Sequence, residues 1–324
     1  MRQSHDCRQE SPTVSLQTAP GLVDDLEALL ATLRHKAEEA AAAGVHVGEH
    51  PSVSFYRGTR PVEVRLPPRQ AGEVRQDKSC LQVIALHQAL LPPCRNGACA
   101  TEEEHSARLS SSDGLELLRL NWNRLLWLLL PSLRFGGTTE RCAAADAGDA
   151  SMGANGECAA NSAISDWELY RPVAWEDYRQ LRHPSIMDRV HYSYVVFLRF
   201  YGWRLYDEES GVLDRHQNWR GRYKALEPGG HLHEGGDAAG GSCIGFYAAL
   251  PRILCVLLEL CLTRYAVNLV AFLLEEMSKG RLLLLQSSLE ESWLPLILRS
   301  KQVVDAEKAR LRRQLYRLSH SDSD

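Results

Sequence analysis

The chain lacks an uncharged apolar run long enough to cross a membrane. The best candidates are residues 115–133 and 244–274, and each of these runs contains three charges. The charges are Glu116, Arg119 and Arg124 in the first run, and Arg252, Glu259 and Arg264 in the second. A span needs about 20 nearly uncharged residues, and a central charge costs roughly 2.5–3.5 kcal/mol. We therefore expect buried helices and no transmembrane span, with peripheral membrane contact left open.

A secretory signal is also missing, because residues 1–20 are polar and contain no apolar segment. The nine cysteines are odd in number and irregularly spaced, which does not indicate a disulfide framework. Cys255 and Cys261 lie in an apolar helical run, where a free thiol behaves as a small apolar side chain. We therefore expect free thiols in a reducing compartment, the nucleus or the cytoplasm, with membrane association left open.

Motifs for catalysis are missing too. No Gly-rich loop ends in Gly-Lys-Ser/Thr, and no Gly-x-Ser-x-Gly turn is present. We predict no enzyme, no cofactor and no metal site, although a catalytic triad is recognised only by its geometry in the fold. Two weak metal patterns have a simpler interpretation as solvated loops. The first consists of His87, Cys94, Cys99 and His105, and the second of His231, His233 and Glu234.

The composition is that of an ordinary globular protein. Apolar residues make up 44% of the 324 residues and charged residues 24%, so the chain is long enough to bury a large core. The formal net charge is −4 and the pI is near 6.3, which argues against a protein that coats nucleic acid.

The apolar periodicity indicates an all-α fold, an irregular multi-helix bundle. Two helices near the C-terminus, Ala248–Leu262 and Arg264–Met277, are apolar except for narrow polar strips, so we place them at the centre of the bundle. The strip on the first helix consists of Arg252, Glu259 and Thr263, and we expect it to face water. Val53–Phe55 and Val62–Leu66 are the only hints of strands, and they allow a minor hairpin.

The chain divides into three predicted regions. Residues 1–19 are a disordered N-terminus, residues 20–300 form a helical domain, and residues 301–324 form a basic amphipathic helix with a polar tail. Two inserts rich in Gly and Ala, 136–163 and 228–245, interrupt the domain. They have few large apolar residues to offset the entropy cost of ordering, so we predict that both are disordered.

Helix signals give more detailed predictions. Asp77–Leu91 reads as one helix, and Leu115–Leu130 reads as another that is buried almost all round. Ser185 is the expected N-cap of a long helix that Gly202 closes in a left-handed conformation. Asp214 is the expected cap of the helix that follows.

Five residues are the best candidates for ligand binding. They are Trp203, Arg204, Asn218, Trp219 and Arg222. Trp and Arg dominate the hot spots of recognition surfaces. The alternatives are structural, since Trp219 lies on a presumed inner helix face and Arg204 could satisfy carbonyls at a helix end.

The segment Arg299–Arg317 is strongly basic. It holds seven basic residues against Asp305 and Glu307, a net charge of +5. Such a helix fits peripheral contact with anionic lipid or with a nuclear-import receptor. The simpler interpretation is a solvated helix face, and no aromatic ladder favours nucleic acid.

Several motifs between Phe200 and Glu276 occur in the order found in one family. Phe200–Leu205 is similar to Phe-Tyr-Gly-x-Arg-Leu, and Ser210-Gly211 to an acidic turn that ends in Thr/Ser-Gly. Asn218, Trp219, Arg222 and Tyr223 match Asn-Trp-x-x-Arg-Phe/Tyr, and Arg252–Leu254 and Leu274–Glu276 match Arg-Ile-Leu and Leu-Glu-Glu. These residues resemble the conserved domain of the opioid growth factor receptor family. The resemblance spans roughly residues 53–300 and is close over 186–277.

The resemblance implies a receptor that binds an opioid growth peptide and acts in growth regulation. Such receptors are unrelated to the seven-helix opioid receptors and are associated with the nucleus and with membranes. The chain departs from the family pattern at Pro251, where the family usually has Thr, and in the residues Cys243–Phe246 before it. An intracellular α-helical scaffold that has kept the fold without an opioid ligand is therefore the main alternative. A hydrolase or a nucleic-acid binder is the third.

Overall fold

The structure, a computed structural model, describes residues 26–45, 48–67, 77–91, 112–134, 163–227 and 244–320. The predicted disordered N-terminus, residues 1–19, lies outside the described residues. So do both Gly/Ala-rich inserts except for their last residues, Ala163 and Ile244–Gly245. Of the weak metal patterns, only His87 is described.

Helices make up most of the described chain, with two short hairpins between them. The first half contains α1 (Leu26–Ala42), α2 (Pro51–Arg57), β1 (Val62–Arg65), β2 (Lys78–Leu81), α3 (Val83–Leu90), α4 (Ser112–Leu120) and α5 (Trp122–Leu129). After a 3-10 turn at Trp167–Tyr170 come α6 (Trp175–Leu181), α7 (Pro184–Tyr201), β3 (Trp203–Asp207), β4 (Val212–Arg215) and α8 (Trp219–Leu226). A second 3-10 turn at Gly245–Ala249 leads into α9 (Leu250–Glu259) and α10 (Thr263–Ser278). A segment of mixed 3-10, α and π type, Leu283–Trp293, then precedes α11 (Leu294–Arg299) and α12 (Asp305–His320).

The two apolar helices form the centre of the core, as the sequence predicts. All ten residues of α9 are buried, and so are most residues of α10. The two helices pack against each other, and α12 covers α10 from outside. Burial at about 25 cal/mol per Å² of apolar surface is the main stabilising contribution of such helices.

The prediction that the polar strip of Arg252, Glu259 and Thr263 faces water is wrong for its first two members, whereas Thr263 is half-buried. Arg252 and Glu259 are both buried, at 6% and 1% exposure. The Arg252 guanidinium lies 3.8 Å above the Trp127 ring, and its Nε donates to Leu130 O. Arg252 and Glu259 therefore pack against the loop after α5 and do not face solvent. This loop supplies hydrogen-bond partners for their buried polar groups.

The fold is mostly α, not strictly all-α. Two antiparallel two-stranded sheets are present, with Val62 opposite Leu81 in the first and Trp203 opposite Arg215 in the second. The hint of a strand at Val62–Leu66 is confirmed, whereas Val53–Phe55 lies in α2. That helix starts there because Pro51 occupies its first turn and the His50 ring accepts the Ser52 N–H.

Two predicted helices are each divided. The N-terminal part of Asp77–Leu91 is strand β2, because it pairs with β1, and only its C-terminal part is helix. The predicted helix Leu115–Leu130 breaks at Asn121, which has non-helical backbone angles. The Asn121 side chain accepts from the Arg65 N–H and donates to Arg65 O, both at 2.8 Å, so it extends the ladder of β1.

The long helix α7 ends as predicted but starts differently. Gly202 adopts φ +86°, and its N–H donates to carbonyls of the last turn. A Cβ at this position would lie 2.9 Å from Arg222 Cβ, so glycine also permits close packing against α8. The N-cap is His183 followed by Pro184, not Ser185. Asp214 caps no helix, because it lies in β4.

The prediction that the cysteines are free thiols is confirmed only in part. Cys255 and Cys261 are free, whereas Cys80 is disulfide-bonded.

Candidate functional site

The hairpin β3–β4 and helix α8 bring the five predicted binding residues into one region. Trp203 and Arg204 open β3 directly after α7, because Gly202 turns the chain at that point. Asn218 precedes α8, Trp219 begins it, and Arg222 lies one turn further along. The five side chains nevertheless have different environments.

Trp203 belongs to the core. It is fully buried, stacks on Tyr201 at 4.8 Å between ring centroids, and meets Phe272 edge to face at 5.5 Å. Its Nε1–H donates to Tyr223 Oη at 2.9 Å. A buried indole with its polar atom satisfied is a packing element, so Trp203 presents nothing to a ligand in this arrangement.

Arg222 fastens two helices together. Its Nε donates to Phe200 O at 2.8 Å, and its guanidinium lies 4.7 Å from the centre of the Phe200 ring. Burial lowers the pKa of Arg222 to about 10. The side chain satisfies a carbonyl at the C-terminal end of α7, which is the structural role that basic residues often take at helix ends.

Arg204 and Asn218 are closer to solvent. Arg204 Nη2 donates to Asp214 Oδ2 at 3.0 Å across the hairpin. Asn218 is exposed, and its backbone N–H donates to His216 Nδ1 at 3.4 Å. Arg204 therefore already has an anionic partner within the fold. Asn218 contributes through its backbone to the turn that leads into α8.

Trp219 is the candidate whose surroundings differ most from the prediction. It is half-buried, and three guanidiniums lie close to its ring. Arg215, Arg220 and Arg281 are 4.9, 5.2 and 5.0 Å from the ring centroid. We call these four residues the Trp219 cluster. Each contact is within the roughly 6 Å range of cation–π attraction.

A buried carboxylate supports the Trp219 cluster from below. Glu276 in α10 is 1% exposed, and its Oε1 accepts from Arg281 Nη1 at 2.8 Å. The same Oε1 lies 3.7 Å from Arg215 Nε, while Oε2 accepts from Tyr223 Oη at 2.9 Å. A continuous polar chain thus runs from Trp203 in the core, through Tyr223 and Glu276, to Arg281 at the surface.

Sequence reasoning missed the three arginines of the cluster. Arg220 stands beside Trp219 in the recognised motif, so its position in the sequence was a usable signal. Arg215 and Arg281 reach Trp219 from β4 and from the turn after α10. No local pattern marks either of them, because only the tertiary fold joins these segments.

A second buried carboxylate lies elsewhere, at the end of α9. Glu259 accepts from Ser132 Oγ at 3.1 Å and from the Leu133 N–H at 2.8 Å, and burial raises its pKa to about 7. Beside it, Arg134 lines a cavity of about 290 Å³ together with Leu258 and Lys301. None of the five predicted binding residues contributes to this cavity.

The basic segment Arg299–Arg317 lies mainly on α12. The apolar face of this helix, including Leu311 and Leu318, is buried, and Arg310 Nη2 donates to Asn268 Oδ1 of α10 at 3.0 Å. Arg312, Arg313 and Arg317 are exposed. The helix is therefore docked through its apolar side, and its basic side faces out.

Clusters of metal-ligating side chains and membrane-spanning helices are absent from the part of the chain that the structure describes. Among those residues no group of three or more His, Cys, Asp or Glu could hold a metal ion. His87 is buried in α3 and pairs with Ser193 Oγ at 2.9 Å. None of the described helices has the length and apolar character needed to cross a membrane.

The comparison with protein families agrees with the motifs. The model of the opioid growth factor receptor (OGFr) conserved region matches residues 172–320. No curated protein and no solved structure matches the chain. The matched range contains the hairpin β3–β4, the Trp219 cluster, both central helices and α12. Residues 172–320 of this chain are therefore similar to the opioid growth factor receptor (OGFr) conserved region.

Proposed function

We propose that the conserved region binds a peptide or protein ligand, that opioid peptides are the first class to test, and that the Trp219 cluster is the docking surface. The chain then acts as a binding protein and not as an enzyme. The resemblance to the family supports this class of ligand, and the geometry of the Trp219 cluster supports this choice of docking surface.

The observation that carries the proposal is a half-buried Trp at the surface with three guanidiniums around it. Trp and Arg are the residue types most enriched in binding hot spots, where a large flat side chain and charged donors act together. The buried chain through Tyr223 and Glu276 holds this surface in a fixed arrangement. A fixed surface loses less entropy on binding than a mobile one.

The test is a titration of the full chain with opioid peptides, in which binding is measured by calorimetry. We expect binding that Trp219→Ala weakens by about tenfold or more, as expected for a hot-spot aromatic residue. Trp167→Ala is the matched control, because Trp167 is 60% exposed and lies outside the conserved region. No binding by the wild-type chain, or equal losses in the two variants, would contradict the proposal.

The alternative is an α-helical scaffold that has kept the fold without an opioid ligand. It is favoured by the environments of Trp203 and Arg222, which are both committed to packing within the fold. Under this alternative the Trp219 cluster contacts a protein partner instead of a free peptide. Opioid peptide affinity in the micromolar range or better counts against it.

The exposed side of α12 supports a second contact, with an import receptor or an anionic membrane surface, and with it a nuclear, cytoplasmic or peripheral membrane location. Because the apolar face of α12 is packed on α10, this contact is electrostatic and involves no insertion of the helix. The triple variant Arg312→Gln, Arg313→Gln, Arg317→Gln is expected to lose both vesicle binding at low salt and nuclear accumulation. A variant that keeps both would rule out this contact.

A further inference from the structure

We infer that the Trp219 cluster recognises a carboxylate of the peptide ligand, with the neighbouring ligand residue resting on the indole. This inference rests on the proposed function, because it names the chemical group that the proposed docking surface takes. It depends on the guanidiniums of Arg215, Arg220 and Arg281 and on how few carboxylates of the fold can pair with them.

Positive charge is in excess at the cluster. Three guanidiniums surround one ring, and the carboxylate beneath them is that of Glu276. Arg220 is exposed and forms no ion pair with any residue that the structure describes. The acidic residues nearest in sequence are already paired, Asp214 with Arg204 and Glu275 with Lys279. An arginine side chain stays charged at physiological pH, so an incoming anion would relieve the repulsion among the three.

The Glu276 carboxylate cannot act as the counter-ion of Arg220. Its Oε1 accepts from Arg281 and its Oε2 accepts from Tyr223, so both oxygens are engaged inside the fold. Turning the carboxylate outwards would leave the Tyr223 hydroxyl without its acceptor in a buried position. The cost of an unsatisfied buried group opposes that movement.

The existing contact also indicates which anion fits. Arg281 Nη1 already donates to one carboxylate oxygen at 2.8 Å, which is the length of a charge-assisted hydrogen bond. A second carboxylate on the solvent side would meet the remaining donors of Arg281 and those of Arg220. The first turn of α8, where Trp219 and Arg220 lie, adds the positive end of the helix dipole.

The class of partner follows from the overall charge. A net charge of −4 repels long polyanions such as nucleic acid, whereas one carboxylate needs only a local positive surface. Every linear peptide with an unmodified C-terminus carries a carboxylate there, and acidic side chains carry the same group. The shared chemistry is therefore a single peptide carboxylate, and the two sources are separated by experiment.

The experiment compares three forms of one opioid peptide by calorimetric titration of the full chain. The forms are the free acid, the C-terminal amide, and the amide with an acidic residue placed next to its end. We expect the free acid to bind at least about tenfold more tightly than the amide, the range of a lost charge-assisted hydrogen bond. Recovery of affinity by the third form would identify an acidic side chain as an equivalent source.

Variants locate the effect. Arg220→Gln is expected to remove most of the preference for the acid over the amide, because it weakens binding of the acid more than binding of the amide. The matched control is Arg264→Gln, because Arg264 is also exposed and lies over a ring, that of Tyr265, at 5.6 Å. This control is expected to keep the full preference.

The outcomes separate the two proposals. Equal affinity for acid and amide, with binding still lost in Trp219→Ala, overturns the carboxylate inference and leaves the proposed function standing. A preference that survives Arg220→Gln, or that Arg264→Gln removes equally, also overturns it. No binding of any of the three forms overturns both.

Discussion

Glu259 and Glu276 are both buried carboxylates in apolar helices, yet their partners differ. The closest partners of Glu259 are neutral donors, Ser132 Oγ and the Leu133 N–H, and its nearest guanidinium is Arg134 at 3.8 Å. Glu276 instead receives the Arg281 guanidinium directly at 2.8 Å. Burial of the charge is thus compensated by backbone and hydroxyl groups in one case and by an opposite charge in the other.

The two sites also differ in their access to solvent. The Arg134 side chain is 13% exposed, whereas those of Arg281 and Arg215 are 26% and 29% exposed. Glu259 fastens the loop after α5 to the core and ends in the interior. Glu276 joins the core to a charged surface. The counter-charges of Glu276 are thus more exposed than that of Glu259, and this difference supports the choice of the Trp219 cluster as the proposed docking surface.

The largest effect is expected from removing the charge of Glu276. Glu276→Gln leaves Arg215 and Arg281 without their shared anion, and breaking a buried pair in this way costs about 3–5 kcal/mol. Glu259→Gln is the matched change, and it should cost about 1 kcal/mol at pH 7, because neutral donors surround that group. Urea denaturation at pH 7 measures both. Equal losses would show that the two carboxylates do not differ as described.

The next effect is a pH dependence that belongs to Glu259. Its pKa is raised from 4.5 to about 7 in the fold, so its contribution to stability is complete below pH 4.5 and is lost as the pH rises through 7. At about 1.4 kcal/mol per unit of pH, the loss is at most about 3 kcal/mol. Denaturation curves of the wild-type chain between pH 4.5 and 7.5 should include this loss of stability with rising pH. In Glu259→Gln the loss should be absent.

The histidines act in the opposite direction and provide the control for this measurement. Burial lowers the pKa of both His50 and His87 from 6.5 to about 4, so their contribution is present above pH 6.5 and is lost as the pH falls through 4. Glu259→Gln should therefore show stability that rises with pH over this range. An unchanged pH profile in the variant would exclude Glu259 as the titrating group.

The contrast between the two carboxylates also shows how far the sequence could lead. The apolar runs predict α9 and α10, and the left-handed Gly202 is predicted by its position after an apolar helix. The burial of Glu259 could not be predicted in that way, since its partner Ser132 is 127 residues away in the chain. The strip looked solvent-facing because periodicity records which residues are polar and not what covers them.

The candidate site was predicted in part for the same reason. The motifs point to the segment that contains β3, β4 and α8, and Trp219 is among the five residues they suggest. The burial of Trp203 was not predicted, because its partner Tyr223 lies on another element. Arg215 and Arg281 could not be found at all, since each meets Trp219 only through the packing of β4 and α10 around α8.

A smaller effect is expected from the hydroxyl that links Trp203 to Glu276. Tyr223→Phe leaves the buried Trp203 N–H without an acceptor and removes one donor from Glu276, which should cost about 2 kcal/mol. On the side of Glu259, Tyr178→Phe removes the hydrogen bond to the Glu259 carbonyl, and about 1 kcal/mol is expected because the carbonyl is the only buried group that loses its tyrosine partner. Chemical denaturation of the two variants compares them. A larger loss in Tyr178→Phe would contradict the view that Glu276 anchors the more extended polar chain.

The smallest effect concerns two glycines that flank the Trp219 cluster and differ only in backbone conformation. A Cβ added at Gly221, in α8, or at Gly280, after α10, meets nothing within 4 Å. Gly221 is helical, so Gly221→Ala should stabilise the protein by about 0.5–1 kcal/mol. Gly280 has φ +72°, where a side chain is strained, so Gly280→Ala should destabilise it by about 1 kcal/mol. Thermal denaturation of the two variants should therefore show opposite shifts of Tm, and shifts of the same sign would mean that the backbone near Glu276 is not held as described.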